Sequence, residues 1–195
     1  MIKKIRINPN WLYHQVRFEK LPNILKNNAI LSKRRQGDNT ITSNAWNGLD
    51  YISLSKKDEN YIWNSSYRRF ISSSYAFIFD EIEAIETEYV EDNYEYFQNI
   101  SNLSFDKRYS VYEDEYQVKD KIAIDKVIGI KIPDTNIKHY PREFYDRKDC
   151  AIDEFLNIID GKLQVPFIDI DNELQIDKKD IKKYLLERWD DKNEL

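Results

Sequence analysis

A chain of 195 residues is long enough for one domain that buries about 70% of its unfolded surface, so it needs neither a disulfide nor a metal to fold. Its single cysteine, Cys150, excludes an internal disulfide, and its net charge of -5 excludes a generally basic nucleic-acid binder while leaving room for a local basic groove. No apolar run approaches ~18 residues and no signal-like stretch opens the chain, so a soluble, cytoplasmic protein that meets no membrane is expected.

Taken in order, Ile2 to Ile7 alternate apolar with basic residues and predict a short strand. Trp11 to Val16 predict a second strand, ending near Arg17. Phe18 to Asn28 place Phe18, Leu21, Ile24 and Leu25 at helical spacing with Pro22 in the first turn, which predicts a helix that Ala29 to Ser32 close. A basic loop, Lys33 to Asn39, follows. Tyr51 to Ser55 predict a strand with Tyr51, Ser53 and Ser55 on one face, Lys56 to Arg69 a partly helical stretch, and Tyr75 to Asp80 a buried strand. Glu81 to Phe105 are acidic and tyrosine-rich, with periodicity too weak to place elements.

From Ser110 to Asp120 alternation returns. Glu113, Glu115 and Gln117 share one face, and Tyr112, Asp114, Tyr116 and Val118 the other. Two carboxylates two positions apart on a strand face sit roughly 7 Å apart and repel, which a purely structural strand gains nothing from and a cleft handling positive charge uses. Lys126 to Ile132 predict a last β-branched strand before Pro133; a helix at Asp149 to Ile159 stopped by Gly161, an extended piece from Pro166 to Ile170 and an amphipathic helix from Asp177 to Trp189 complete the chain. Short strands with a few helices make the class α+β.

Several chemistries fall away. Gly37, Gly48, Gly129 and Gly161 are isolated, so no dinucleotide or phosphate loop of the glycine-rich kind is present. His14, His139 and Cys150 lie too far apart in sequence for a spaced zinc motif, and no metal is expected. No serine sits on a glycine-flanked elbow. What survives is a histidine at a strand end, a tyrosine–serine strand and a paired-carboxylate strand.

In this order the three blocks resemble the ADP-ribosyltransferase superfamily, shared by poly(ADP-ribose) polymerases and many bacterial toxins. Leu12-Tyr13-His14 before a helix of the form L-x-x-I-L-K-x-x-x-I-L looks like the family's opening strand and helix; Tyr51 to Ser55 leading to Tyr61 is similar to its second block; and Glu115 to Asp120 resembles its third. Glu113 also matches the Glu-x-Glu arrangement of the toxin branch. The likeness covers roughly residues 11–132. It implies a core of split antiparallel β-sheets and flanking helices over about 11–132, while the length predicts a single domain, 1–195, whose tail is a helical extension over about 140–195.

The resemblance also implies a function, a mono-ADP-ribosyltransferase that cleaves NAD at the nicotinamide–ribose bond and passes ADP-ribose to a protein or nucleic-acid acceptor. It assigns catalysis to Glu115, with Glu113 serving the acceptor. NAD, as substrate, would be held by His14 donating to a ribose, by Gln15 where the family often has a small residue, by Ser53 at the carboxamide, and by Tyr51 and Tyr61 stacking on nicotinamide. Arg34 or Arg35 would stand in for an arginine that related DNA-modifying toxins use. Alternatives within the fold are an NAD glycohydrolase and an RNA 2′-phosphotransferase. An alternative of another class is an inert interaction module, phage- or antitoxin-like, that binds through the acidic Glu81 to Glu95 stretch.

Overall fold

The structure is a computed structural model that describes residues 1–15, 20–37, 50–56, 75–89, 109–110, 115–132 and 152–190. In chain order its strands are β1 (Ile2–Lys4), β2 (Leu12–Gln15), β3 (Ala29–Leu31), β4 (Tyr51–Lys56), β5 (Ala76–Phe79), β6 (Ile85–Glu86), β7 (Glu88–Tyr89), β8 (Tyr109–Ser110), β9 (Glu115–Lys119), β10 (Lys121–Ala123), β11 (Val127–Lys131), β12 (Phe167–Asp169) and β13 (Leu174–Ile176). Among the described residues the α-helices are α1 (Leu21–Asn27), α2 (152–159) and α3 (Lys178–Asp190). The class is α+β, as expected.

Nine strands form one sheet in the order β1-β13-β12-β11-β5-β2-β4-β9-β6. Every neighbouring pair is antiparallel except β11 with β12. Alternation sorts the side chains. Leu12, Leu54, Phe77, Phe79, Ile130, Phe167 and Ile176 face one side and join Leu25 of α1, Phe155 of α2 and Ile181 and Leu185 of α3 in the main core. Each such fully buried side chain contributes roughly 1.5–3 kcal/mol. The opposite face carries a smaller apolar cluster, Tyr13, Ala76, Ile78, Ile168 and Ile170. Every residue of β5 is buried, as its unbroken apolar run requires of a central strand.

Several elements depart from the sequence expectation for local reasons. Ala29 to Leu31 are a strand rather than the close of a helix. Asn28 adopts a left-handed conformation (φ 50°) that ends α1 and turns the chain, and β3 then pairs with β10 in a separate two-stranded sheet. Asp120 (φ 63°) makes the matching turn after β9, sending β10 out of the main sheet. β1 stops at Lys4, short of Ile7. β13 escaped prediction because it is a three-residue strand; it returns through a turn in which the Asp169 carboxylate accepts the Asn172 backbone N–H at 2.9 Å and its side-chain amide at 2.8 Å. Asp169 is itself buried and accepts the Tyr184 hydroxyl of α3 at 2.7 Å. Lys178 of α3 reaches Asp160 after α2, and Lys182 reaches Asp153 at 2.7 Å, while Lys183 stays solvated.

Gly129 sits where β11 bulges against β5, and a Cβ there would meet Ile168 Cγ1 at 3.0 Å and the Pro166 carbonyl oxygen at 3.4 Å. Gly129→Ala is therefore expected to lower stability by about 1–3 kcal/mol, read as an earlier urea midpoint at unchanged slope. An unchanged midpoint would mean that Ile168 moves aside freely.

Candidate active site

Three adjacent strands, β2, β4 and β9, carry the described parts of the three sequence motifs. The β4–β9 register sets Tyr51 against Lys119, Ser53 against Gln117 and Ser55 against Glu115. Directly opposed residues project to the same side, so Tyr51, Ser53, Ser55, Glu115 and Gln117 form one polar row. Tyr13, paired with Ser55, extends the row onto β2, and Gln15, two positions on, points the same way.

The row continues onto β2 only in part. β4 pairs with Leu12 and Tyr13 and no further, although both strands run on. A continued ladder would oppose Gln15 to Ser53; instead the His14 ring enters the seam, and its Nδ1 lies 3.0 Å from the Ser53 carbonyl oxygen. A carbonyl only accepts, so Nδ1 carries the proton. Burial pushes the His14 pKa down, against a smaller upward pull from that hydrogen bond, and the ring is neutral at pH 7 with Nε2 as an acceptor. By alternation His14 belongs with the core-facing residues, beside Phe77 of β5, so it meets the polar row at the seam and not on the row's own face.

Burial of a neutral histidine has a pH signature. The folded pKa lies below the ordinary value of 6.5, so the unfolded chain binds the proton more readily. The His14 contribution to stability is complete above the unfolded pKa and is lost as pH falls toward the folded one. Wild type should therefore exceed His14→Gln by more at about pH 7.5 than at about pH 5 in urea titrations. A gap independent of pH would contradict the buried neutral ring.

Glu115 is 5% exposed and Gln117 fully buried, both far below the exposure usual for their types. The Gln117 Nε2 amide donates to Glu115 Oε1 at 3.3 Å. The Glu115 backbone carbonyl takes two donors from Thr87, the backbone N–H at 3.1 Å and the hydroxyl at 2.9 Å, which fix the start of β9 against the edge strand β6. Gln117 was legible in sequence as a member of this face, but nothing there showed its amide reaching the carboxylate.

At the end of the seam Arg34 binds Asp50 at 2.5 Å and Arg35 binds Asp120 at 3.3 Å, both at the surface. Asp50 precedes β4 and Asp120 follows β9, so both arginines border the polar row's end. Glu113 and Tyr61 lie outside the described residues. Among those described, no group of three His, Cys, Asp or Glu side chains could hold a metal ion, and no helix is long and apolar enough to cross a membrane. A cleft of about 340 Å³ lined by Asn8, Asn10, Lys56, Asp80, Glu81 and Tyr116, among others, opens on the core-facing side of the same strands, away from Glu115. Its Lys56 ammonium lies 5.1 Å from the centre of the Tyr116 ring.

Chemically, the arrangement offers a buried carboxylate fixed on a rigid strand, an amide donor to it, hydroxyls beside it, and an imidazole acceptor at an opened seam. No protein-family model matches the sequence, and no curated protein does. Among solved structures the chain is similar to that of Thermus sp. 2.9 DarT in complex with carba-NAD+, with 12% identity, 79% of this chain and 90% of that chain covered, and a TM-score of 0.43.

Proposed function

We propose that the protein is an NAD-dependent mono-ADP-ribosyltransferase whose acceptor is a protein or a nucleic acid. The observation that carries this reading is the adjacency of β2, β4 and β9, which sets the buried Glu115 carboxylate in a polar row beside a seam lined by His14. Breaking the bond between nicotinamide nitrogen and ribose leaves the electron pair on nicotinamide and a cationic, oxocarbenium-like sugar. Glu115 accepts a hydrogen bond from the ribose hydroxyl next to that carbon and stabilises the cation electrostatically. An acceptor oxygen or nitrogen then bonds to the carbon, and its proton passes to a base, the role assigned to Glu113.

Ser53 binds the carboxamide and Gln15 lines the same end of the seam, while Tyr51 and Tyr61 stack on nicotinamide. His14 acts opposite to the expected sense: with Nδ1–H committed to the Ser53 carbonyl, Nε2 accepts a hydrogen bond from a ribose hydroxyl and does not donate one. The 2′-phosphotransferase alternative calls for cations free to grip phosphate, and Arg34 and Arg35 each carry an aspartate partner. The deciding experiment is incubation with NAD labelled in the adenosine half, with and without cell extract. Nicotinamide release with label appearing in protein or nucleic acid supports transfer; release without labelling makes the protein an NAD glycohydrolase; no release leaves an interaction module.

A further inference from the structure

We propose that Gln117 is the positioning residue for Glu115: its buried side-chain amide orients the carboxylate toward the sugar and keeps it a hydrogen-bond acceptor. The inference rests on the catalytic reading of Glu115 given above. Three observations meet here. The two residues are neighbours on one strand face, their side chains are bonded Nε2 to Oε1 at 3.3 Å, and both are withdrawn from solvent. A carboxylate two carbons from the backbone has three torsions to fix, and solvent is not there to hold it. An amide aimed at one oxygen fixes the plane of the group and leaves the other oxygen directed elsewhere. A glutamine withdrawn completely from solvent is a costly choice unless its amide is used.

Gln117 touches no reacting atom in this scheme, so its effect is expected in turnover and not in affinity. Gln117→Met keeps the volume and removes the donor. It should lower kcat for nicotinamide release about 10–100-fold with the KM for NAD little changed, the penalty of a misplaced catalytic group. Gln117→Glu makes a sharper test. Two buried carboxylates in contact share one proton, and the protonated member donates to its partner as the amide does. The singly protonated pair should therefore turn over NAD, and the rate should fall as pH rises and the second carboxylate ionises. Wild type should show no such alkaline fall over the same range.

The experiment is steady-state nicotinamide release across pH for wild type, Glu115→Gln, Gln117→Met, Gln117→Glu and the double variant Glu115→Gln/Gln117→Met, with thermal melts of each. If Gln117 works through Glu115, adding Gln117→Met to Glu115→Gln costs nothing further, even where Gln117→Met also lowers the melting temperature. Losses that multiply in the double variant, or a Gln117→Glu profile parallel to wild type, would overturn the positioning role while leaving Glu115 catalytic. Wild type without activity, or Glu115→Gln equal to wild type, would instead strike the parent reading.

Discussion

Glu115→Gln should lower nicotinamide release a few hundredfold while leaving the protein folded. The substitution keeps the shape of the side chain and removes the charge that faces the sugar cation, and one well-placed electrostatic contact of this kind is worth about 3–4 kcal/mol in the transition state. NAD binding should survive, because an amide oxygen still accepts from the ribose hydroxyl. Stability should hold or rise slightly, since a carboxylate only 5% exposed is replaced by a neutral group of equal size. Glu113→Gln should separate from it: labelling of the acceptor falls while slow NAD hydrolysis persists. Nicotinamide release, acceptor labelling and thermal melts on the three proteins check this together. Equal turnover in wild type and Glu115→Gln would remove the glutamate from the mechanism.

Phe155→Ala should be the most damaging core substitution for its size. Phe155 on α2 is fully buried, stacks on Tyr75 at 4.1 Å between ring centroids and meets Phe167 of β12 edge-on at 6.2 Å. The ring thus joins α2 to residues preceding β5 and to β12 at a single point. Truncation removes the transfer free energy of the ring, opens a cavity and breaks two aromatic pairs, an expected loss of about 3–5 kcal/mol. For a chain of this length that is on the order of 10 °C in melting temperature. Because the main core runs unbroken from Leu12 through Phe155 to Leu185, the melt should move as one transition. Two separate transitions, with only one displaced, would show α2 and α3 folding apart from the strands that carry Glu115.

The strand faces were the legible part of this molecule. Period-two alternation from Ser110 to Asp120 and from Tyr51 to Ser55 placed Glu115, Gln117, Ser53 and Tyr51 on the sides where the structure has them. The apolar run of β5 announced a strand buried on both faces. What stayed hidden depended on single backbone angles or on partners far along the chain. Left-handed Asn28 and Asp120 divert β3 and β10 into a sheet of their own, and neither asparagine nor aspartate signals that choice by type alone. His14 shows the same limit at the site. Its position at a strand end was visible, but its tautomer follows from the Ser53 carbonyl, thirty-nine positions away. Glu113 and Tyr61 fall outside the described residues.

The pairing of β1 with β13, Ile2 opposite Ile176, has a consequence for how the chain comes off the ribosome. The strands carrying the polar row, β2, β4 and β9, are all made before β12, β13 and α3 exist. β1 therefore waits for most of the described chain before its neighbour β13 is made, and until residues 167–190 follow, the apolar residues of β5 and β11 have nothing from β12 or α3 to cover them. Long-range closures of this kind are slow, and surface left bare in the meantime is where nascent chains aggregate. Truncated products ending before residue 167 should therefore be chaperone clients, even though every strand of the polar row is already present in them.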